Sequence, residues 1–327
     1  MKKSIGILGA VAISLSVVTG CIDNISQQDV GNSMVDSVVL PSYSRLVNAS
    51  QELNISLQKL VNNPSQFTFN KAKASWRSAR KTWEITEAWA YGPAETLGFD
   101  PNLDDWPVSI NELASTLDSK SKLTSRTLQN LDTTSRGFHG IEYVLFGRDN
   151  NLAVDLSPNE LSYLKFAGED LENNADGLLD AWSGSDGFGS SVLNADPSNA
   201  IADILAGMEG CLAEVADGKL GGPFDANDAG ELESTFSGNT GTDIVFNIRG
   251  VKTAWEKSKL KEYASIKNDD LSRTLSSQID ESLKLAKRLP VSLNDQLNNQ
   301  KTQAIVNNLR TALTSAAETA GYLASEI

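Results

Sequence analysis

His139 is the only histidine in the 327-residue chain, and Glu142 stands three positions after it. Residues at i and i+3 share a face of a helix, so this spacing presents an imidazole nitrogen and a carboxylate together. Such a pair can ligate a metal ion or form a buried hydrogen-bonded couple. The rest of Gly137-Phe138-His139-Gly140-Ile141-Glu142-Tyr143-Val144-Leu145-Phe146-Gly147 is largely apolar. A helix apolar on every side is normally buried, and polar groups inside it need partners. A second segment sets Arg80, Glu84 and Glu87 among Trp76, Trp83 and Trp89. Read as one helix from Trp76 to Tyr91, it places Glu87 within the stripe that Trp76 and Trp83 bury, with Arg80 beside it and Glu84 to one flank. Two carboxylates at this spacing match the ligand geometry of metal sites in helical bundles. Arg80 could equally pair with Glu84 or Glu87 and satisfy them structurally. Asp100 and Asp104 follow in what reads as a loop and are secondary candidates, because acidic loop residues are usually solvated.

The single histidine excludes any H-E-x-x-H or three-histidine metal site. No G-x-S-x-G elbow is present to carry a serine nucleophile. One imidazole supplemented by carboxylates suits iron or another hard divalent ion better than zinc. The chain carries 42 acidic against 28 basic residues, a net charge of −14, which disfavours a nucleic-acid partner.

The elements that must position these side chains are helices. Leu46, Ala49, Leu53, Leu57 and Leu60 recur at steps of three and four. So do Leu161, Leu164, Leu171, Ala175, Leu178 and Trp182, and again Ile201, Ile204, Leu205, Met208, Leu212 and Val215. Ser157-Pro158-Asn159-Glu160 reads as a capping box, while Asp196-Pro197 and Ser109-Ile110-Asn111-Glu112 open further helices. No segment alternates with period two, so the expected fold class is all-α, packed as antiparallel helical bundles. The glycine- and serine-rich stretch 183–191 marks a boundary between an N-terminal bundle, 36–190, and a C-terminal bundle, 191–327. Gly218 to Gly241 reads as an extended loop.

Residues 1–20 carry Lys2 and Lys3 before an apolar run from Ile5 to Val18, the pattern of a secretory signal too short to span a bilayer comfortably. Val18-Thr19-Gly20-Cys21 resembles the lipobox of bacterial lipoproteins. Acylation of Cys21 would hold the mature chain on a lipid membrane through a polar tether, 21–35. By similarity to sorted lipoproteins, Ile22 directs it to the outer membrane, facing the periplasm or the cell surface. Cys211 is then left without a partner and reads as a small buried hydrophobe in a helix.

Gly137-Phe138-His139-Gly140-Ile141-Glu142, a G-x-H-x-x-E pattern, resembles the signature of imelysin-like lipoproteins. Thr86-Glu87-Ala88-Trp89-Ala90-Tyr91-Gly92-Pro93, the Asp105-Trp106-Pro107 turn, and Phe236-Ser237-Gly238-Asn239-Thr240 with Asp243 and Asn247-Ile248-Arg249-Gly250-Val251 look like further landmarks of that family, in order. The resemblance spans about residues 35–325. It implies two helical bundles with pseudo-symmetric halves, a site between them and a role in bacterial iron acquisition. It also implies metal binding through His139, Glu142 and nearby carboxylates, here Glu84, Glu87 and Asp100, with Arg80, Trp83 and Trp106 supporting them. The expected ligand is a divalent or ferric ion, above all iron, or an iron chelate, received from or passed to iron-transport proteins. A metallopeptidase using the H-x-x-E motif is the alternative. A partner-binding lipoprotein without metal is the third reading.

Overall fold

Leu46, Leu53, Leu57 and Leu60 form the buried stripe of a long helix, with Ala49 at its margin. The computed structural model describes residues 25–148 and 155–327, so the signal and Cys21 lie outside the described residues. Among the described residues the chain is helical and contains no strand. None of the helices there is long and apolar enough to cross a membrane.

Helix α1 (Gln27–Ser33) continues through a wider π-helical segment, Met34–Val39, into α2 (Leu40–Asn62). Residues 27–35, which read as tether, therefore belong to the fold, with Val30 and Val35 buried. After a short turn α3 (Gln66–Glu84) packs back on α2. Short helices α4 (Pro93–Thr96), α5 (Phe99–Asp104), α6 (Ile110–Leu117), α7 (Ser125–Gln129) and α8 (Gly137–Glu142) follow. Helix α9 (Pro158–Trp182) then lies along α2 and covers α5 and α8. Its start is the anticipated capping box: Ser157 Oγ accepts from Glu160 N at 3.2 Å, and Glu160 Oε2 accepts from Ser157 N at 2.7 Å.

Helix α10 (Phe188–Asn194) occupies part of the expected boundary, with the Phe188 ring edge-on to Trp182 at 4.9 Å. Helix α11 (Pro197–Ala213) buries Ile201, Ile204, Leu205, Met208 and Leu212. The segment read as an extended loop is mostly helical. A π-helical stretch, Glu214–Gly221, leads into α12 (Gly222–Ala226) and a 3₁₀ turn, Ala229–Glu231. Helices α13 (Thr240–Lys257), α14 (Leu260–Lys267), α15 (Asp269–Ala286) and α16 (Gln300–Glu326) complete the chain. Helix α16 packs on α11 and α15, and α13 touches α3, α11 and α15. Buried side chains from both sides of residue 190 join in one connected core.

Two close approaches position the elements that matter below. Gly137 has φ +61°, and a Cβ there would overlap the carbonyl oxygen of Leu103, so the start of α8 abuts the end of α5. Gly250 likewise lies against the carbonyl oxygen of Ile85, seating α13 on the end of α3. Gly137→Ala should destabilise the fold by at least about 2 kcal/mol, from the left-handed backbone together with the overlap. Urea unfolding measures this, and a change below about 0.5 kcal/mol would contradict the described packing.

Candidate metal centre

The tryptophan stripe of α3 is buried as its spacing implied, and two of its indoles hold neighbouring elements by hydrogen bonds. Trp76 Nε1 donates to the Phe138 carbonyl at 2.9 Å, tying α3 to α8, and Trp83 Nε1 donates to Asp104 Oδ2 at 2.6 Å, tying it to α5. The helix does not run on to Tyr91. It ends at Glu84, where Thr86 N and Oγ1 both donate to the Trp83 carbonyl, and Glu87 begins a 3₁₀ turn, Glu87–Trp89. The break keeps both glutamates in the cluster by a route that the helical-wheel reading missed. Asp100 and Asp104 sit on α5 and not in a loop.

His139 and Glu142 share a face of α8 as expected: Nδ1 lies 3.1 Å from Glu142 Oε2. The other oxygen, Glu142 Oε1, accepts the Ser237 backbone N–H at 2.7 Å. Both oxygens of Glu142 are thereby engaged, one with the ring and one with the backbone, and the ring directs Nε2 toward Asp104 Oδ1, 3.1 Å away. That contact is between charges and is poorly directed as a hydrogen bond, leaving Nε2 a buried nitrogen without a good partner. Trp106 covers the imidazole, with ring centroids 4.8 Å apart.

Ligand atoms of Asp104, His139 and Glu233 lie within 4.8 Å of one another, and so do those of Glu84, Glu87, Asp104 and Glu233. Asp104 and Glu233 are common to both groups. Asp100 and Glu142 belong to neither, so the secondary candidate Asp104 takes the central place and Asp100 lines the approach. Sequence reasoning missed Glu233, Lys219 and the role of Asn247. The only available signals were a lone lysine among glycines and an acid just ahead of the Phe236-Ser237-Gly238 motif.

Among the described residues, the buried Arg80 and Lys219 balance the cluster together with the His139 ring. Arg80 contacts Glu84 Oε1 at 2.5 Å, Glu233 Oε1 at 3.1 Å and Asp104, so the predicted Arg80–Glu84 pair is present. Lys219 reaches Glu87 Oε2 at 2.8 Å, Glu233 Oε2 at 2.9 Å and Glu84 Oε2 at 3.4 Å. Asn247 donates to Glu84 Oε2 and Glu87 Oε2, both at 2.7 Å. The site floors a cleft of about 650 Å³ lined, among the described residues, by nine carboxylate residues, including Glu87, Asp104, Glu214 and Glu233, and by the single basic residue Lys219. Such a cleft concentrates cations through its summed field.

The residues fit a metal ion: a ring nitrogen without a good hydrogen bond and converging carboxylates are a hard, mixed N/O donor set. The Nδ1 contact to Glu142 is the carboxylate–histidine arrangement that fixes a ligating ring. Asp104, His139 and Glu233, with Glu84 and Glu87, would hold the ion.

The sequence profile of the imelysin family matches residues 39–320. The chain belongs to the imelysin family. It is 26% identical over 307 residues to iron-regulated protein A of Synechococcus elongatus, covering 87% of this chain and 82% of that protein. A crystal structure from Parabacteroides distasonis, described as an iron-regulated protein A precursor, superposes with TM-score 0.83 at 23% identity, covering 92% of this chain and 94% of that one. An imelysin-like protein from Psychrobacter arcticum 273-4 gives TM-score 0.74 at 17% identity, covering 90% and 94%. These likenesses establish the imelysin fold for the described helices.

The electrostatics of this imelysin site carry a pH signature. Burial pushes Glu84 up to about 8 against the pull of Arg80 and Lys219. Burial likewise raises Asp243, which accepts from Asn239 Nδ2 at 2.6 Å, to about 6. Burial and the Arg80 charge draw His139 down, but Asp104 and Glu142 outweigh them and hold it at about 9. Asp104 is the opposite case: burial opposes its ionisation, but Arg80 and then His139 hold its carboxyl well below the usual range. Each raised group keeps a proton in the native state that the unfolded chain has released, so each makes stability fall as pH rises. The windows run from 4.5 to about 8 for Glu84, from 3.8 to about 6 for Asp243 and from 6.5 to about 9 for His139. The thermal midpoint of the metal-free protein should therefore decline from about pH 5 to pH 9, and Glu84→Gln should flatten the part below about pH 8. A midpoint that climbs toward pH 9 would refute this assignment.

Proposed function

We propose that this imelysin is an extracytoplasmic metal-binding lipoprotein whose ion is iron, serving iron uptake. The observation that carries the reading is the meeting of the His139 ring with the Asp104 and Glu233 carboxylates at the floor of an acidic cleft, Nε2 turned to Asp104. The names of the Synechococcus relative and the Parabacteroides structure support an iron-related role. Iron suits one imidazole among carboxylates, because hard oxygen donors with a single nitrogen favour it over the softer sites that select zinc. Acylated Cys21 would tether the protein to a lipid membrane, on the periplasmic or outer face of the outer membrane. There it would take iron, free or chelated, and pass it to iron-transport proteins.

The site is arranged for binding. A peptidase reading asks Glu142 to activate a metal-bound water. Both of its oxygens are engaged, one by the His139 ring and one by the Ser237 N–H. Bound iron would supply a Lewis-acidic centre, and the chain's own contribution is to hold the ring, cover its face with Trp106 and neutralise the ion with carboxylates.

Calorimetric titration of the mature chain with anaerobic Fe²⁺, Fe³⁺ citrate, Zn²⁺ and Ca²⁺ tests the reading. The expected result is one iron site whose heat disappears in His139→Ala. If no ion binds the wild type more tightly than His139→Ala, the metal reading falls.

A further inference from the structure

Lys219 is a buried ammonium placed where an incoming cation would sit. Its Nζ lies 2.8 Å from Glu87 Oε2, 2.9 Å from Glu233 Oε2 and 3.4 Å from Glu84 Oε2. These three residues, with Asp104, make up the four-carboxylate group whose ligand atoms converge within 4.8 Å. An ammonium takes the same lone pairs that a metal ion requires. We propose that Lys219 is a resident counter-cation that holds these carboxylates together in the empty site and is expelled into the cleft when the metal ion arrives. The proposal rests on the metal reading above and adds how the site is kept closed to weaker cations.

The geometry separates Lys219 from the buried Arg80. Arg80 is fully buried, bound to Glu84, Asp104 and Glu233, with its guanidinium carbon 5.6 Å from the centre of the Phe138 ring. A planar, multidentate guanidinium held in this way is a fixed part of the wall. Lys219 lines the open cleft, its side chain 5% exposed, on a flexible four-carbon stem. It projects from the π-helical stretch Glu214–Gly221, between Gly218 and the glycine pair Gly221-Gly222. π-Helical turns are a recurrent feature of functional sites. Glu214 and Glu231 line the same cleft and can receive the departing ammonium. A monovalent ion gains no more from the three carboxylates than Lys219 already does, whereas a doubly or triply charged ion gains in proportion to its charge. The exchange therefore discriminates by charge.

Acetylation of the mature wild-type protein with N-hydroxysuccinimidyl acetate, read peptide by peptide by mass spectrometry, reports the position of Nζ. The metal is the better binder of Fe²⁺ and Fe³⁺ citrate, and NaCl is the control. Lys219 is expected to be protected without metal and under NaCl. At iron saturation it should label at a rate within about threefold of surface lysines such as Lys284. In a parallel titration Lys219→Met is expected to bind iron at least tenfold more tightly than the wild type. Iron bound with Lys219 still protected overturns the exchange and leaves the metal reading standing, whatever the variant does. Weaker or unchanged iron binding in a folded Lys219→Met overturns it too. No iron bound by either protein overturns the metal reading, and this inference with it.

Discussion

Arg80→Ala is expected to destabilise the protein by about 3–5 kcal/mol, the range for breaking a buried ion pair from one side. The side chain is fully buried and is the shared partner of Glu84 at 2.5 Å, Glu233 at 3.1 Å and Asp104. Its removal leaves three carboxylates with Lys219 and His139 as the remaining positive groups, at the largely buried floor of the cleft, where water replaces the lost charge less well than in bulk. The loss arises chiefly from the carboxylates left behind, so Asp104→Asn added to Arg80→Ala should recover part of it, a non-additivity that a double-mutant cycle detects. Arg80→Lys should recover less than the full stability, because an ammonium cannot span three acceptors in one plane. Urea unfolding followed by far-ultraviolet circular dichroism gives the free energies. An Arg80→Ala protein within about 1 kcal/mol of the wild type would show that the cluster is far better hydrated than its burial implies.

The second large effect concerns the division of labour within the H-x-x-E motif. On the proposed iron-binding function, His139→Ala should weaken iron binding by at least about 100-fold, since it removes the one nitrogen that would ligate the ion and leaves a cavity beneath Trp106. Glu142→Gln should weaken it by about 10–100-fold, the range for a group that orients a ligand without touching the metal. The glutamine keeps the bond from Ser237 N–H and loses the charge that steadies Nδ1–H. Equal losses in the two variants would instead make Glu142 a direct ligand. Titration calorimetry of both, with circular dichroism confirming retained helicity, separates the cases.

Much of the framework was legible along the chain. The three-and-four spacing of Leu53, Leu57 and Leu60, and of Ile201, Ile204 and Met208, marks the buried faces of α2 and α11 because a helix repeats every 3.6 residues. The pairing of His139 with Glu142, and of Arg80 with Glu84, follows from i,i+3 and i,i+4 neighbourhood. The end of α3 at Glu84 was not legible, since helical pattern continues through Trp89 and the break depends on α13 docking at Ile85. The choice of Asp104 over Asp100 was hidden for a similar reason. The two are four residues apart on α5, and the contact of Gly137 with Leu103 sets which one meets His139.

The sequence by itself determined an all-helical chain, the companionship of His139 and Glu142, and a requirement that the acids around the tryptophan stripe find cations. These depend on local periodicity, which acts over a few residues. Tertiary structure decided which atoms converge at the cluster. Lys219 and Glu233 reach Glu84 and Glu87 across more than a hundred residues of chain, through the docking of the Glu214–Gly221 stretch and the segment after it. The Ser237 N–H claims one oxygen of Glu142 and so leaves the imidazole nitrogen Nε2, not the motif's glutamate, turned toward the other carboxylates. Such long-range convergence comes from the packing of α13 and the glycine-rich segment against α3, and no repeat in the sequence encodes it.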